Sequence, residues 1–140
     1  MSRYLLDTNI LIFMMSGELD NISEEVASIL GDYDNELNTS SVVVLELLQL
    51  YRNKKVSTKK YHTAQDFLKA IEDVFYIKIL PFSKEHLNTL SKLEVAPRHR
   101  DPFDHAIISH AITEKLTLIS SDRQFEHYTG QHLDFVFNKR

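Results

Sequence analysis

The chain has 140 residues, a formal net charge of −4 and no cysteine, and 43% of its residues are apolar. This length and composition fit a single globular domain, residues 1–140, with a core of its own. The lack of cysteine excludes disulfides, thiolate metal sites and a cysteine nucleophile, and it suits the reducing cytoplasm. The acidic balance argues against a protein that binds nucleic acid through net positive charge alone.

The hydrophobic pattern predicts strands that alternate with helices along the chain. The predicted strands are 3–7, 36–39, 76–80, 117–120 and 134–137, and the predicted helices are 8–16, 22–30, 41–53, 61–75, 83–93 and 101–115. Strands joined by helical crossovers form a parallel sheet that is covered on both faces, so we expect a three-layer α/β/α domain with four or five strands. The longest apolar run, residues 10–15, is too short for a membrane span or a signal peptide.

Two carboxylates follow predicted strands directly. Asp7 ends the first strand and is followed by Thr8 and a helix, and Asp122 lies just beyond the strand 117–120. The carboxyl ends of parallel strands lie at one edge of a sheet, where open α/β sheets bind their ligands. The two side chains therefore converge if the two strands are neighbours. Capping of the short turn after Asp122 explains that residue equally well.

Asp104 lies in the first turn of the predicted helix 101–115, where Asp101 is the expected N-cap. At roughly 100° per residue, Asp104 projects between Ile108 and Ala111, on the apolar side of the helix. The expected polar side carries His105, Ser109 and Thr113. Because burial of an unpaired carboxylate is costly, the pattern favours a functional role for Asp104 over a simple interaction with the helix dipole.

Glu46 interrupts the apolar run of the predicted helix 41–53. Gln49 and Asn53 share its side of the helix, and this pattern by itself indicates a solvated stripe. Apolar residues also flank Glu46 four positions away in both directions, so the rim of a cleft is an alternative. Periodicity alone favours the surface position.

Four segments carry motifs in a recognisable order. They are residues 5–9 (LLDTN), 41–47 (SVVVLEL), 99–111 (HRDPFDHAIISHA) and 118–125 (LISSDRQF). Together, and at these intervals, they resemble a PIN domain over nearly the whole chain. The resemblance is closest to the VapC type of toxin ribonuclease from toxin–antitoxin pairs. One difference is His105, where many relatives carry arginine.

The resemblance implies a metal-dependent endoribonuclease that acts as the toxin of such a pair. The implied active-site quartet, catalytic and metal-ligating, is Asp7, Glu46, Asp104 and Asp122, with Thr8 as a supporting hydroxyl. Four crowded carboxylates repel one another, and Mg²⁺ or Mn²⁺, which prefer oxygen ligands, resolve this conflict. The implied partners are an RNA substrate, a cognate antitoxin and a second copy of the chain in a homodimer, all in the cytoplasm and without a membrane.

Contact with an RNA backbone requires cations outside the acidic cleft. Arg98, Arg100 and Arg123 adjoin the motif loops and are the predicted RNA-binding residues. A basic connector is formed by Lys54, Lys55, Lys59 and Lys60, although a solvated charge run explains it more simply. The seven histidines show no zinc-binding spacing, so we expect them to be surface or structural groups.

Two alternatives remain open. An aspartate followed by Thr8 and Asn9 at a strand end also resembles the haloacid-dehalogenase-like phosphatases, in which Asp7 would be the nucleophile. Those enzymes need a second aspartate where Asn9 stands, which counts against this alternative. The other is a PIN-like binding module that has lost catalysis, and the complete acidic quartet argues against it.

Overall fold

The computed structural model describes residues 2–56 and 60–140, so Lys59 of the basic connector lies outside the described residues. The strands are β1 (Arg3–Leu6), β2 (Glu36–Ser40), β3 (Lys78–Leu80), β4 (Thr117–Ser120) and β5 (Asp134–Phe137). The α-helices are α1 (Thr8–Met15), α2 (Glu24–Leu30), α3 (Ser41–Arg52), α4 (Ala64–Asp73), α5 (Lys84–Lys92) and α6 (Pro102–Glu114). Two 3-10 segments cover Leu19–Asn21 and Arg123–Gln131. In the part of the chain described, no helix is long and apolar enough to cross a bilayer.

The five strands form one parallel sheet in the order β3-β2-β1-β4-β5. Neighbouring residues of a strand point to opposite faces, and both Leu5 and Leu6 of β1 are fully buried. Helices therefore cover both faces at the centre of the sheet, which confirms the predicted α/β class. Because β2 flanks β1 on one side and β4 on the other, the strand order reverses at β1, where such sheets bind ligands.

Side-chain caps fix where several helices begin. Ser40 Oγ accepts a hydrogen bond from the amide of Val42 at 3.1 Å, and Ser23 Oγ accepts one from the amide of Val26 at 3.2 Å. The carboxylate of Asp101 accepts from the amide of Phe103 at 2.9 Å, as its predicted role as the N-cap of α6 requires. These contacts satisfy amides that have no partner within the helix.

Two predictions about local structure are wrong. Tyr76 has a φ of 55° and is exposed, so β3 begins only at Lys78. Ser109, expected on the polar side of α6, is fully buried, because α6 packs on α5 along that side. The Ser109 hydroxyl donates to the carbonyl of His105 at 2.8 Å, and the Thr113 hydroxyl lies 2.6 Å from that of Thr89 on α5. Local hydrogen bonds therefore allow this polar stripe to face another helix.

Candidate active site

Asp7 stands between β1 and α1 and is almost fully buried, at 5% exposure. The carboxylate accepts hydrogen bonds from the Thr8 amide at 2.8 Å, from Ser120 Oγ at 2.6 Å and from the Asn9 side-chain amide at 3.3 Å. The amide of Asp7 donates to the carbonyl of Ile119 at 3.0 Å, which joins the end of β1 to β4. These contacts orient the carboxylate without supplying a positive charge.

Burial and neighbouring carboxylates make ionisation costly at this site. Burial, with smaller contributions from the charges of Asp104 and Glu46, raises the pKa of Asp7 from 3.8 to about 7, and the hydrogen bonds from Ser120 and Thr8 oppose this shift. Burial also raises the pKa of Asp104 from 3.8 to about 7, with added repulsion from Asp101, Asp122 and Glu46. The structure thus places the four carboxylates named by the resemblance close enough for their charges to repel.

Glu46 faces this cluster and does not lie on a solvated stripe. Its side chain is half-buried, and it accepts a hydrogen bond from the hydroxyl of Thr8. Because Thr8 opens α1, this bond links α1 to α3, which pack against each other. The position of Glu46 is therefore set by helix packing, which the periodicity of the sequence does not report.

Asp104 points into the cluster from the first turn of α6, with its side chain 17% exposed. Its Oδ2 atom lies 2.9 Å from Nε2 of His99, a buried residue whose Nδ1 lies 2.7 Å from the Tyr128 hydroxyl. The Tyr128 oxygen also accepts from the amide of Ala96 at 3.0 Å. When His99 donates from Nε2 to the carboxylate, its Nδ1 accepts the Tyr128 proton. A buried chain of hydrogen bonds thus holds Asp104. A role for His99 was not predicted, although it is the first residue of the third motif segment, because a histidine in a loop carries no periodic signal.

Asp122 lies two residues beyond β4, at the same edge of the sheet as Asp7. Its carboxylate accepts from the amide of Gln124 at 2.9 Å, so it also caps the 3-10 segment that follows. Its own amide donates to Ser120 Oγ at 3.0 Å, the hydroxyl that donates to Asp7. Asp122 therefore caps the 3-10 segment and also lies at the edge of the sheet that carries Asp7, so both interpretations of the sequence apply. Ser120 bridges the two aspartates.

The donor set fits a hard divalent cation. The four acids offer only oxygen ligands, and none of them forms an ion pair with a lysine or arginine among the described residues. A bound dication would favour the ionised forms of Asp7 and Asp104, which the site otherwise disfavours. Within residues 2–56 and 60–140, no three of these acids bring ligating oxygens within 4.8 Å of one another. Such an open arrangement suits Mg²⁺ or Mn²⁺ with several waters better than a cage of protein ligands.

The three predicted RNA-binding arginines are all exposed near the motif loops. Arg98 and Arg100 lie in the loop before α6. The guanidinium of Arg123 lies 4.1 Å from the ring centroid of Phe137 and 3.6 Å from Oε1 of Glu126. RNA contact through Arg123 would compete with these interactions, whereas Arg98 and Arg100 form no ion pair with the described residues.

A parallel sheet whose strand order reverses at β1, with acids gathered at its carboxyl edge, is the arrangement expected of a PIN domain. Comparison of the sequence with known families leads to the same family. The chain belongs to the PIN domain family, whose model matches residues 4–131. No curated protein matches the chain.

Solved structures share this fold over nearly their full length. They include VapBC2 from Rickettsia felis bound to a DNA fragment from its promoter, with 22% identity, a TM-score of 0.69 and coverage of 98% of this chain and 99% of that chain. VapBC-1 from nontypeable Haemophilus influenzae has 20% identity, a TM-score of 0.65 and coverage of 96% and 97%. VapBC-5 from Mycobacterium tuberculosis, of the VapBC family of toxin-antitoxin systems, has 19% identity, a TM-score of 0.60 and coverage of 100% of both chains. At these identities the likeness shows the fold, and it confirms the predicted PIN-like architecture.

Proposed function

We propose that this protein is the VapC-type toxin of a toxin–antitoxin pair and that it hydrolyses RNA phosphodiester bonds with Mg²⁺ or Mn²⁺. The observation that carries the proposal is the acidic cluster at the carboxyl edge of β1 and β4, in which two aspartates have pKa values raised to about 7. Membership of the PIN domain family and the fold shared with VapBC chains support a nuclease toxin.

The proposed cation ligands are Asp7, Glu46 and Asp104, with Asp122 completing the set. A cation held by these residues would supply Lewis-acid polarisation of the phosphate and charge neutralisation at the leaving oxygen. The chain itself supplies orientation: Ser120 fixes Asp7, the Thr8 hydroxyl fixes Glu46, and His99 fixes Asp104. Such outer contacts hold ligating carboxylates in place and tune their basicity.

The acidic charge of the protein shapes the proposed binding of substrate and partners. A phosphodiester approaches four carboxylates only when a cation stands between them, while Arg98, Arg100 and Arg123 contact the backbone on either side. By analogy with the VapBC toxin-antitoxin structures, we expect a cognate antitoxin to bind the protein. The homodimer and the cytoplasmic location stay predictions from the sequence resemblance.

Incubation of purified protein with a synthetic RNA and Mg²⁺ tests the nuclease proposal. We expect cleavage that EDTA abolishes and that Asp7→Asn reduces by about a thousandfold or more, since an essential ligand is lost. The matched control is Asp134→Asn, the same change at an exposed acid at the start of β5, away from the cluster. Cleavage that persists in EDTA, or that Asp7→Asn leaves unchanged, contradicts the metal quartet.

Two further measurements on the purified protein separate the alternatives. Covalent phosphorylation of Asp7 by a phosphate ester would support the phosphatase, but the family assignment and the position of Asn9 give it no support. The side-chain amide of Asn9 bridges Asp7 and Ser120, and its carbonyl accepts from the Ser121 amide, which is a structural role. Tight binding of an antitoxin or RNA without any cleavage would instead identify a binding module.

A further inference from the structure

A second cluster of metal-ligating side chains lies between α5 and α6, at the other end of α6 from Asp104. His86 of α5 and His110 and Glu114 of α6 each place a ligating atom within 4.8 Å of the other two. Both histidines are buried, at 3% and 0% exposure, and Glu114 is half-buried. Since His110 and Glu114 are four residues apart, they share one face of α6. The cluster opens on a cavity of about 190 Å³ that is also lined by Arg3, Leu80, Pro81 and Ser83.

His110 supplies the first imidazole of this cluster. Its Nδ1 atom lies 2.9 Å from Ser40 Oγ, but its buried Nε2 atom has no hydrogen-bond partner among the described residues. A buried polar atom without a partner is costly and uncommon in native structures. Burial lowers the pKa of His110 to about 4, with a further contribution from His86, so the ring is neutral at physiological pH. With its proton on Nδ1, the ring presents a bare lone pair at Nε2.

His86 supplies the second imidazole, and both of its ring nitrogens have hydrogen-bond partners. Its Nε2 atom lies 2.7 Å from Oε2 of Glu114, and its Nδ1 atom accepts from the amide of Ser83 at 2.8 Å. Ser83 Oγ lies 3.0 Å from the same Nδ1 and offers an acceptor should the ring proton move there. That tautomer would leave Nε2 and the carboxylate of Glu114 as two neighbouring ligands, and it requires the ring to turn away from the Ser83 amide, which donates to Nδ1 in the present arrangement.

We propose that His86, His110 and Glu114 form a binding site for a transition-metal cation of the Zn²⁺ class, independent of the acidic cluster. Two imidazole nitrogens and one carboxylate oxygen are a ligand set that Zn²⁺ takes in proteins, with a water at its fourth position, whereas Mg²⁺ prefers oxygen ligands throughout. Each ring has a serine hydroxyl beside its Nδ1, the outer partner that orients a metal-bound imidazole.

Binding requires a local change of ring orientation. The His86 and His110 rings are stacked with centroids 3.9 Å apart and planes tilted by 33°, so one ring must rotate before both nitrogens face one ion. The adjoining cavity gives that rotation room. Because one ligand comes from α5 and two from α6, a bound cation would link the two helices and raise the resistance of the protein to heat.

Titration with Co²⁺ and Zn²⁺ tests this site in the full chain carrying Asp7→Asn, which weakens the acidic cluster. We expect one Co²⁺ per chain with the visible absorption of a nitrogen-ligated ion, displacement by Zn²⁺ but not by excess Mg²⁺, and a higher melting temperature. Glu114→Gln should weaken Zn²⁺ binding by about tenfold or more, and His110→Gln should abolish it. The control is His132→Gln, an exposed histidine outside the cluster.

Two results would overturn the proposal. One is the absence of Zn²⁺ binding at micromolar concentration in a folded protein. The other is binding that Glu114→Gln leaves unchanged or that His132→Gln removes equally, which would place the ion elsewhere. Glu114 is at the rim of the cavity, so its variant keeps the test informative even if His110→Gln does not fold.

Discussion

Asp7→Asn should make the metal-free protein more stable at alkaline pH and no more stable at acidic pH. The folded protein retains a proton on Asp7 up to about pH 7, while the unfolded chain releases it near 3.8. The free energy of unfolding therefore falls as the pH rises between these values, by about 1.4 kcal/mol for each pH unit. Across the whole interval the charge of Asp7 costs at most about 4 kcal/mol.

The substitution removes this cost but also changes the hydrogen bonds. An asparagine amide in place of one carboxylate oxygen no longer accepts from both Ser120 and Asn9, a loss of about 1–2 kcal/mol. We therefore expect a net gain of about 2–3 kcal/mol at pH 8 and a net change of about 0 near pH 5, where only about 1.6 kcal/mol of the charge cost has accumulated. Function and stability are opposed at such a residue, because the ionised carboxylate that would bind a cation destabilises the fold when no cation is bound.

Urea denaturation in EDTA at pH 5, 6.5 and 8 measures this difference, with Asp134→Asn as the matched control. Added Mg²⁺ at ten times its dissociation constant should then stabilise the wild type by about 1.4 kcal/mol and the Asp7→Asn variant much less. A difference between wild type and variant that is the same at all three pH values would refute the reasoning. So would an equal effect of Mg²⁺ on both proteins.

Three further predictions concern the groups around the cluster. His99→Gln should lower kcat for RNA cleavage by about 10–100-fold with little change in KM, because His99 holds Asp104; a change confined to KM would contradict this. Ser120→Ala removes a hydrogen bond that lowers the pKa of Asp7, so the acid limb of the pH–rate profile should move to higher pH. A limb that stays in place or moves to lower pH would disprove that role. Arg100→Ala should reduce the salt dependence of RNA binding by about one counterion, measured by fluorescence anisotropy, and an unchanged slope would remove Arg100 from the interface.

The sequence was informative about Asp7 and Asp122 because their signal is local. Each follows a short apolar strand, and parallel strands place such positions at one edge. The sequence left open which strands are neighbours in the sheet, because the pairing of β1 with β4 joins residues more than a hundred positions apart. The pairing brings Asp122 to the same edge as Asp7, and Ser120 then joins the two.

Glu46 and Ser109 show where periodicity is insufficient. Both lie on sides of helices that the pattern assigned to solvent, yet Glu46 faces Thr8 of α1 and Ser109 lies under α5. A hydrophobic pattern reports how apolar a face is, and it does not report which helix packs on a polar face whose hydrogen bonds are satisfied locally. Only the resemblance to a known family directed attention to Glu46.

By itself the sequence determined the alternation of strands and helices, the parallel α/β class and the place of Asp7 at a strand end, because these depend on short-range patterns and on the geometry of parallel sheets. Only the tertiary structure decided which polar groups meet. It buried His99 against Asp104 and Tyr128, and it brought His86 beside His110 from a separate helix. The sequence around such a side chain does not indicate its distant partner, because packing, and not local propensity, creates these contacts.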